Sequence, residues 1–470
     1  MSRRPSVAGR VAPEPRQTPP WWPVALAIGV RLLAWDLIPA GRFASDEDSY
    51  YQVSTALLQG HQDLFWPPMT GWLLALLRVV LGTDAVGTLR LVWLVMDVGC
   101  VLAVRALAAR IADAAWPADG VRGTRMTTAA TLGYALYLPA ISHAQFLTSE
   151  TPALLQLLCL ILLVSRVDAP LRARRYGVQA GAGAFMLAGL LAGTLVLTRP
   201  SLLPIAAMVP IAAVVGRDRR AWRFAAASMV VTAVVVGAVV VRNWRAAGEA
   251  TISTNSAYNL YIGNRDLYAE DLNLFDPRAT PEQIKFRRQQ WSGELVYPTG
   301  TPAELQRLAV EWIQENPGIF LRRAVGRLAR VFVPKTDVLE MLGGERGAGI
   351  FAPRSLALLA AANAQWTFVL FGGVIGLMWL WRASPRLGWI FTGAIVGALV
   401  LCLVAISKPR YSFVFDPLLL ICAVATAMSP RATLAALGRG QRWALAIVFA
   451  FLAWAWVAFV IFSLSSRAAL

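Results

Sequence analysis

The chain has 470 residues, 57% of them hydrophobic and 15% charged, with 18 Trp and a mean hydropathy of +0.55. So apolar a chain lacks the polar surface to enclose its hydrophobic residues in water, which excludes a soluble globular domain and leaves an all-α polytopic membrane protein. The net charge of +17 would suit nucleic acid, but the arginines follow the loops between apolar segments, so nucleic acid is not an expected partner.

The first 20 residues are rich in Pro and Arg and read as a disordered tail on the cytoplasmic side. Apolar runs of about 20 residues follow, each able to cross a roughly 30 Å hydrocarbon layer as a helix. They predict eleven spans, at 21–40, 85–104, 126–144, 151–167, 177–197, 201–216, 223–241, 356–381, 387–406, 411–428 and 443–463. The first lacks a small-residue cleavage site and reads as a retained span, not a signal peptide. Every second loop is basic: Arg3, Arg4 and Arg10 precede the first span, Arg105 and Arg110 follow the second, and Arg382 and Arg386 mark a later one. By the positive-inside rule those loops are cytoplasmic, placing the chain in a cell (inner) membrane with the N-terminus inside and the C-terminus outside. The segments 41–84, 139–150, 198–201, 242–355 and 407–411 then face the extracytoplasmic side.

Three regions follow from this pattern. Residues 21–241 form an N-terminal transmembrane module, 242–355 a small extracytoplasmic cap, and 356–470 the C-terminal transmembrane helices. In the outer loop 41–84, Tyr50, Val53, Ser54, Leu57 and Leu58 recur at helical spacing and predict a short interfacial helix that Gly60 ends. A second apolar helix is entered through Pro67 and Pro68, residues suited to starting a helix and not to continuing one. In the cap, Phe320, Leu321, Val325, Leu328 and Phe332 alternate with Arg322, Arg323, Arg327 and Arg330. That pattern is a basic amphipathic helix, fit either for anionic lipid headgroups or for a solvated cap face. All four cysteines lie within or against apolar spans and read as packing residues.

The outer loop opens with "SDEDSYYQ" at 45–52. In extended backbone Asp46 and Asp48 point the same way and can share a cation or substrate; at a helix start they would complement the helix dipole instead. Glu150 stands at the outer mouth of the fourth span, where it can be a functional acid or a first-turn helix residue beside Ser149. The only histidines, His61 and His143, also fall on this outer face. With Asp48 they are the candidate ligands should a divalent cation take part, hydrogen-bonded histidines being the other reading. Arg199, Lys408 and Arg410 sit in tiny outer loops, contrary to the charge bias. A bound phosphate at membrane level would hold them there through charge-assisted bonds, as would snorkelling to lipid phosphate. Asp97, inside the second span, reads as a protonated, hydrogen-bonded structural group.

The blocks Asp46, Ser49, Tyr50, Tyr51, Leu57, Gly60, Pro67 and Pro68, then "LTSET" with Glu150, "LTRPSLL", "RNWRAAGEATISTNSAYNLYIGN" and "KPRYSFVFDPLLL" occur in this order from about residue 25 to 430. In that order they resemble the GT-C membrane glycosyltransferases, in particular the family 39 protein O-mannosyltransferases and the aminoarabinose transferases of lipid A. The resemblance implies a GT-C fold and a polyprenyl-phosphate sugar as donor. It also implies a catalytic base at Asp46 with the adjacent acid Glu47, and a second outer acid at Glu150. Asp48, Tyr50, Arg199, Lys408, Arg410 and Tyr411 are the candidate substrate-binding residues. Trp66 stands where the aminoarabinose transferases carry a lysine before Pro-Pro, a departure that bears on the identity of the sugar.

The reading is an inverting glycosyltransferase that moves a sugar from the lipid phosphate to a hydroxyl of a lipid, glycan or protein acceptor. The alternatives are a lipid or glycolipid transporter and a non-catalytic envelope scaffold. A transporter would place its charges near mid-bilayer and show paired broken helices or repeats, whereas the polar clusters here lie at the outer boundary.

Overall fold

The computed structural model describes residues 18–36, 46–166, 182–216, 219–264, 300–342 and 353–468, and among these there is no strand. Among the described residues five helices are long and apolar enough to cross a membrane: Val86–Ala115, Ala221–Ala247, Pro353–Ala383, Pro385–Leu403 and Arg439–Val460. Shorter apolar helices at Trp22–Trp35, Glu150–Ser165, Gly183–Thr198 and Pro200–Val214 lie on four further expected spans. Large apolar side chains such as Leu33, Val95, Val234 and Ile447 stand more than 60% exposed on these helices. Water would not tolerate so broad a belt and hydrocarbon would, so the chain is an integral membrane protein.

Two expected spans differ in form. The stretch 126–144 is divided into Gly120–Ala135 and Leu138–His143. Pro139 starts the second helix, and the chain at Tyr137 is extended. Gln365 heals the break: its Oε1 accepts from the Leu138 amide at 2.9 Å and its Nε2 donates to the Leu136 carbonyl at 2.9 Å. A break in a helix leaves such backbone groups without their intrahelical partners, and Gln365 supplies them. The stretch 411–428 begins as a 3₁₀ turn over Pro409–Val414 and becomes an α-helix only at Asp416. That helix then bends by 105° into Pro430–Ala436.

Small residues set the helix spacing. Gly189 and Gly193, one turn apart, face Val231 and Val235; a Cβ on either would come within 2.5 or 2.8 Å of the valine side chains. Close approach through such a pair is the usual basis of helix association in lipid. Cys100, Cys402 and Cys422 are buried packing residues, Cys159 is partly buried, and none forms a disulfide.

Basic residues of several loops gather at one end of the bundle. Arg110 donates to the Leu162 carbonyl, Arg386 to the Val164 carbonyl and Arg122 to the Met428 carbonyl. Each cation thus satisfies a carbonyl left open where a helix ends. Deep in the bundle Asp97 is ion-paired with Arg31 and accepts from Tyr134 Oη at 2.8 Å. Asp97 is thus the hydrogen-bonded structural group expected, with an ion-pair partner the pattern did not indicate in Arg31, 66 residues earlier.

At the other end the first outer loop forms two helices, Glu47–Leu58 and Pro68–Leu81, at the expected positions. They terminate at Gly60 and Gly82, whose positive φ values of 80° and 61° suit glycine. Arg78 fastens the pair, donating to Asp84 at 2.6 Å and to Ser54 and Thr55 at 2.8 Å each.

Of the region expected as a cap, 265–299 and 343–352 lie outside the described residues, as do residues 1–17. The helices Asn255–Asn264, Pro302–Glu315 and Pro317–Val331 are present. In the last of these the basic stripe is divided. Arg323 and Arg327 are buried and donate to the carbonyls of Asn264, Gly263 and Leu403, while Leu321 and Val325 are exposed. Those two arginines face protein, not headgroups or solvent, because they satisfy carbonyls at the ends of neighbouring helical segments.

Candidate active site

Four charged side chains from distant parts of the chain meet at the end of the bundle opposite the arginine-rich loops. Asp46 sits at the N-cap of Glu47–Leu58, yet its side chain accepts no bond from the helix's first turn. Its Oδ2 instead takes a hydrogen bond from Arg410 Nη2 at 2.5 Å, across 364 residues. Arg410 Nε lies 3.5 Å from Glu150 Oε1, and Arg199 Nη1 lies 2.7 Å from the same oxygen. The order is therefore Asp46, Arg410, Glu150, Arg199, with the Tyr411 ring under Arg199 at 5.3 Å.

Local chain features place each group. Glu150 begins the helix Glu150–Arg166, where a negative charge complements the dipole. Arg199 follows the C-terminus of Ala182–Thr198 and precedes Pro200, which starts the next turn. Lys408, partly exposed, is the N-cap of the 3₁₀ turn Pro409–Val414, the turn that presents Arg410 and Tyr411. Behind that turn Lys335 Nζ donates to the Pro409 carbonyl at 3.3 Å and to Ser412, and lies 3.1 Å from Asp416 Oδ2. Tyr137 Oη donates to the same Asp416 oxygen at 2.9 Å. Lys335 and Asp416 are both fully buried. Sequence reasoning missed this pair. The signal was an acid opening an apolar span, where an uncompensated charge is expensive.

A small pocket lies against the cluster, lined on one side by Glu150, Arg199, Arg410 and Tyr411 and on the other by Leu202, Ala398, Cys402 and Val414. Two guanidiniums face an apolar wall. Burial pushes the Tyr411 hydroxyl up to about 12, and burial followed by the Asp46 charge raises Tyr50 above its ordinary value. Both phenols are therefore neutral hydrogen-bonding groups at physiological pH. Tyr50 bonds to Ser149 and packs against Trp66 at 5.2 Å between ring centroids.

The other candidates stand apart. Glu47 is fully buried in a two-pronged pair with Arg90, at 2.8 and 2.6 Å, and accepts from the Leu147 amide at 3.0 Å. Its bonds join the first outer helix to Val86–Ala115 and to the segment before Glu150. Asp48 takes Gln52 Nε2 at 2.7 Å, His143 Nε2 lies 2.9 Å from Asp337 Oδ2, and His61 is exposed in the turn after Gly60. The three candidate cation ligands thus have three different surroundings. Among the described residues no three His, Cys, Asp or Glu side chains are arranged to hold a metal ion. Asp46 and Glu150 share the Arg410 guanidinium, a donor set that does not fit a resident divalent cation.

No family model and no curated protein sequence matches the chain. Among solved structures it is similar to the archaeal oligosaccharyltransferase AglB from Archaeoglobus fulgidus in complex with an inhibitory peptide and a dolichol-phosphate. The identity there is 14% and the TM-score 0.44, over 95% of this chain and 56% of that one. The apo form of the Archaeoglobus fulgidus oligosaccharyltransferase gives 14% and 0.45, over 93% and 55%. ArnT from Cupriavidus metallidurans bound to undecaprenyl phosphate gives 15% and 0.40, over 86% and 77%. The chain spans about half the length of the two oligosaccharyltransferase chains.

Proposed function

We propose that the protein is an extracytoplasmic-facing, inverting glycosyltransferase that uses a polyprenyl-phosphate sugar. The observation that carries this reading is the pair of guanidiniums, Arg199 and Arg410, held together by Glu150 next to Asp46 and beside apolar side chains. Two such cations suit the anionic head of a lipid donor, and the apolar neighbours suit the first carbons of its chain. Asp46, bonded to one of those arginines, is then beside the anomeric carbon.

In the reaction, an acceptor hydroxyl oxygen forms a bond to the anomeric carbon while the bond from that carbon to the phosphate oxygen breaks. The hydroxyl proton passes to Asp46, and the bonding pair leaves with the phosphate. Negative charge grows on that phosphate, so guanidiniums already in place lower the barrier. An incoming phosphate competes with Asp46 for Arg410, which releases the carboxylate to act as base when the donor is bound. Glu150, 4% exposed and contacted by both arginines, serves as their anchor.

Turnover of a labelled polyprenyl-phosphate sugar by the purified protein tests the reading, and absence of donor-dependent transfer or hydrolysis overturns it. Orientation is tested separately. With the native cysteines replaced, Gln62→Cys should react with an impermeant thiol reagent in intact cells and Ala432→Cys should not, both positions being exposed. The reverse pattern would put Asp46 in the cytoplasm.

A further inference from the structure

A second, larger cavity of about 470 Å³ adjoins the start of the first outer helix, lined by Ser49, Phe65, Trp66, Thr254, Tyr258 and Leu305 among others. Its walls are built by the backbone. The Thr254 amide donates to the Leu64 carbonyl at 2.8 Å and the Asn255 amide to the Phe65 carbonyl at 3.1 Å. These two bonds pin the segment before Pro67 to the start of Asn255–Asn264. As a result Phe65 stands edge-on to both Trp66 and Tyr258, at 5.4 and 5.6 Å between ring centroids. Ser49 lies one helical turn beyond Asp46, so the cavity wall and the proposed base share one end of one short helix.

We infer that this cavity is the acceptor subsite and that its occupant is an uncharged saccharide. The inference rests on the glycosyl-transfer reading and names the substrate class of its second site. Among the described residues the lining has three aromatic rings and two aliphatic hydroxyls but no charged side chain. A sugar ring matches that composition, its C–H face lying on aromatic rings while its hydroxyls meet Ser49 and Thr254. A phosphate, carboxylate or ammonium would lose water there without a partner. An extended peptide would bring a row of amides and carbonyls to a wall with few polar groups. The volume is that of a small-molecule site, with room for the end of a glycan. Charge thus separates the two substrates: the anionic donor head belongs with the arginines, the neutral acceptor with the aromatic rings, and Asp46 stands between them.

The test uses the full chain in nanodiscs and two measurements. Saturation-transfer NMR reads binding of neutral methyl glycosides, in pyranose and furanose forms, against methyl glucuronide and a Ser/Thr-containing peptide. Radiolabelled undecaprenyl phosphate reads the donor side and reports that each variant is folded. Neutral glycosides should bind, Tyr258→Ala should weaken them about tenfold, Tyr258→Phe should not, and undecaprenyl phosphate affinity should be unchanged in both. The inference is overturned by no glycoside binding, by binding that Tyr258→Ala leaves intact, or by Tyr258-dependent binding of the glucuronide or peptide in place of neutral sugars. Undecaprenyl phosphate binding that ignores Arg410→Ala would instead count against the glycosyl-transfer reading, so the two failures are distinguishable.

Discussion

Replacing Asp46 by Asn separates a base from a binding group. The amide keeps the volume and an acceptor oxygen for Arg410 but cannot take a proton, so transfer should fall by about 100-fold to 10,000-fold. Donor affinity should move the other way. The Asp46 to Arg410 bond is charge-assisted, and such bonds contribute about 1.5–3 kcal/mol when well shielded. Asp46 is 31% exposed, so solvent screening reduces this to roughly 1 kcal/mol. Removing that competitor for the guanidinium should tighten phosphate binding by up to about fivefold. The assay is a pair: kcat with a labelled polyprenyl-phosphate sugar, and equilibrium binding of the unglycosylated lipid phosphate. Near-parent kcat would remove Asp46 from the chemistry. A loss of affinity in step with kcat would mean that Asp46 only holds Arg410 in position.

The remaining predictions concern its neighbours. Arg410→Lys should lower kcat/KM by about 10-fold to 100-fold, because one ammonium cannot reproduce the planar fork that spans two oxygens; a value equal to the parent would leave only attraction to anionic lipid. Glu150→Gln should weaken lipid-phosphate binding as well as kcat, because both arginines lose their anchor, and an unchanged affinity would rule out that role. Glu47→Gln should cost about 1–3 kcal/mol of stability by thermal denaturation and lower kcat per folded molecule far less than Asp46→Asn does; a loss as large as that of Asp46→Asn in a fully folded variant would return Glu47 to the chemistry. Lys335→Met should destabilise by about 3–5 kcal/mol, with Lys335→Met/Asp416→Leu recovering most of it, because removing one partner strands a buried charge. Additive losses in the double variant would show that the two are not coupled.

Most apolar helices and the two outer helices were legible because hydrocarbon thickness and helical periodicity leave few alternatives, and Gly60 and Pro68 mark real boundaries. Arg199 and Arg410 were legible as anomalies, cations held in short loops of the less basic side, and Asp46 as part of an acidic run ahead of two tyrosines. The partners were not. Arg31 with Asp97, Glu47 with Arg90 and Lys335 with Asp416 are separated by 43 or more residues, and neither periodicity nor propensity carries information on such pairings. Charge conservation within the bilayer offers a partial signal. Arg31 and Asp97 each sit in an apolar span where a lone charge is expensive, so each implies an opposite partner at similar depth. The split at Tyr137 was hidden for a related reason: the glutamine that makes it tolerable lies 229 residues away, at Gln365.

Burial divides the labour within the charged cluster. Glu150 is almost fully enclosed and contacts both guanidiniums, so its charge is committed to keeping two like-charged side chains side by side. Arg199 is held further by the Tyr411 ring. Asp46 is the most exposed member and bonds Arg410 alone among the described charges, so it is the acid that an arriving phosphate can displace at least cost. Under the proposed function, a base paired with Arg410 until donor arrives is released only when the site is occupied. The same arrangement explains why Glu47, next in sequence, is not interchangeable with Asp46: its two oxygens are already spent on Arg90 and the Leu147 amide. Those bonds fix the helix start that aims Asp46 at Arg410. One acid of the adjacent pair builds the site, and the other is left available to work in it.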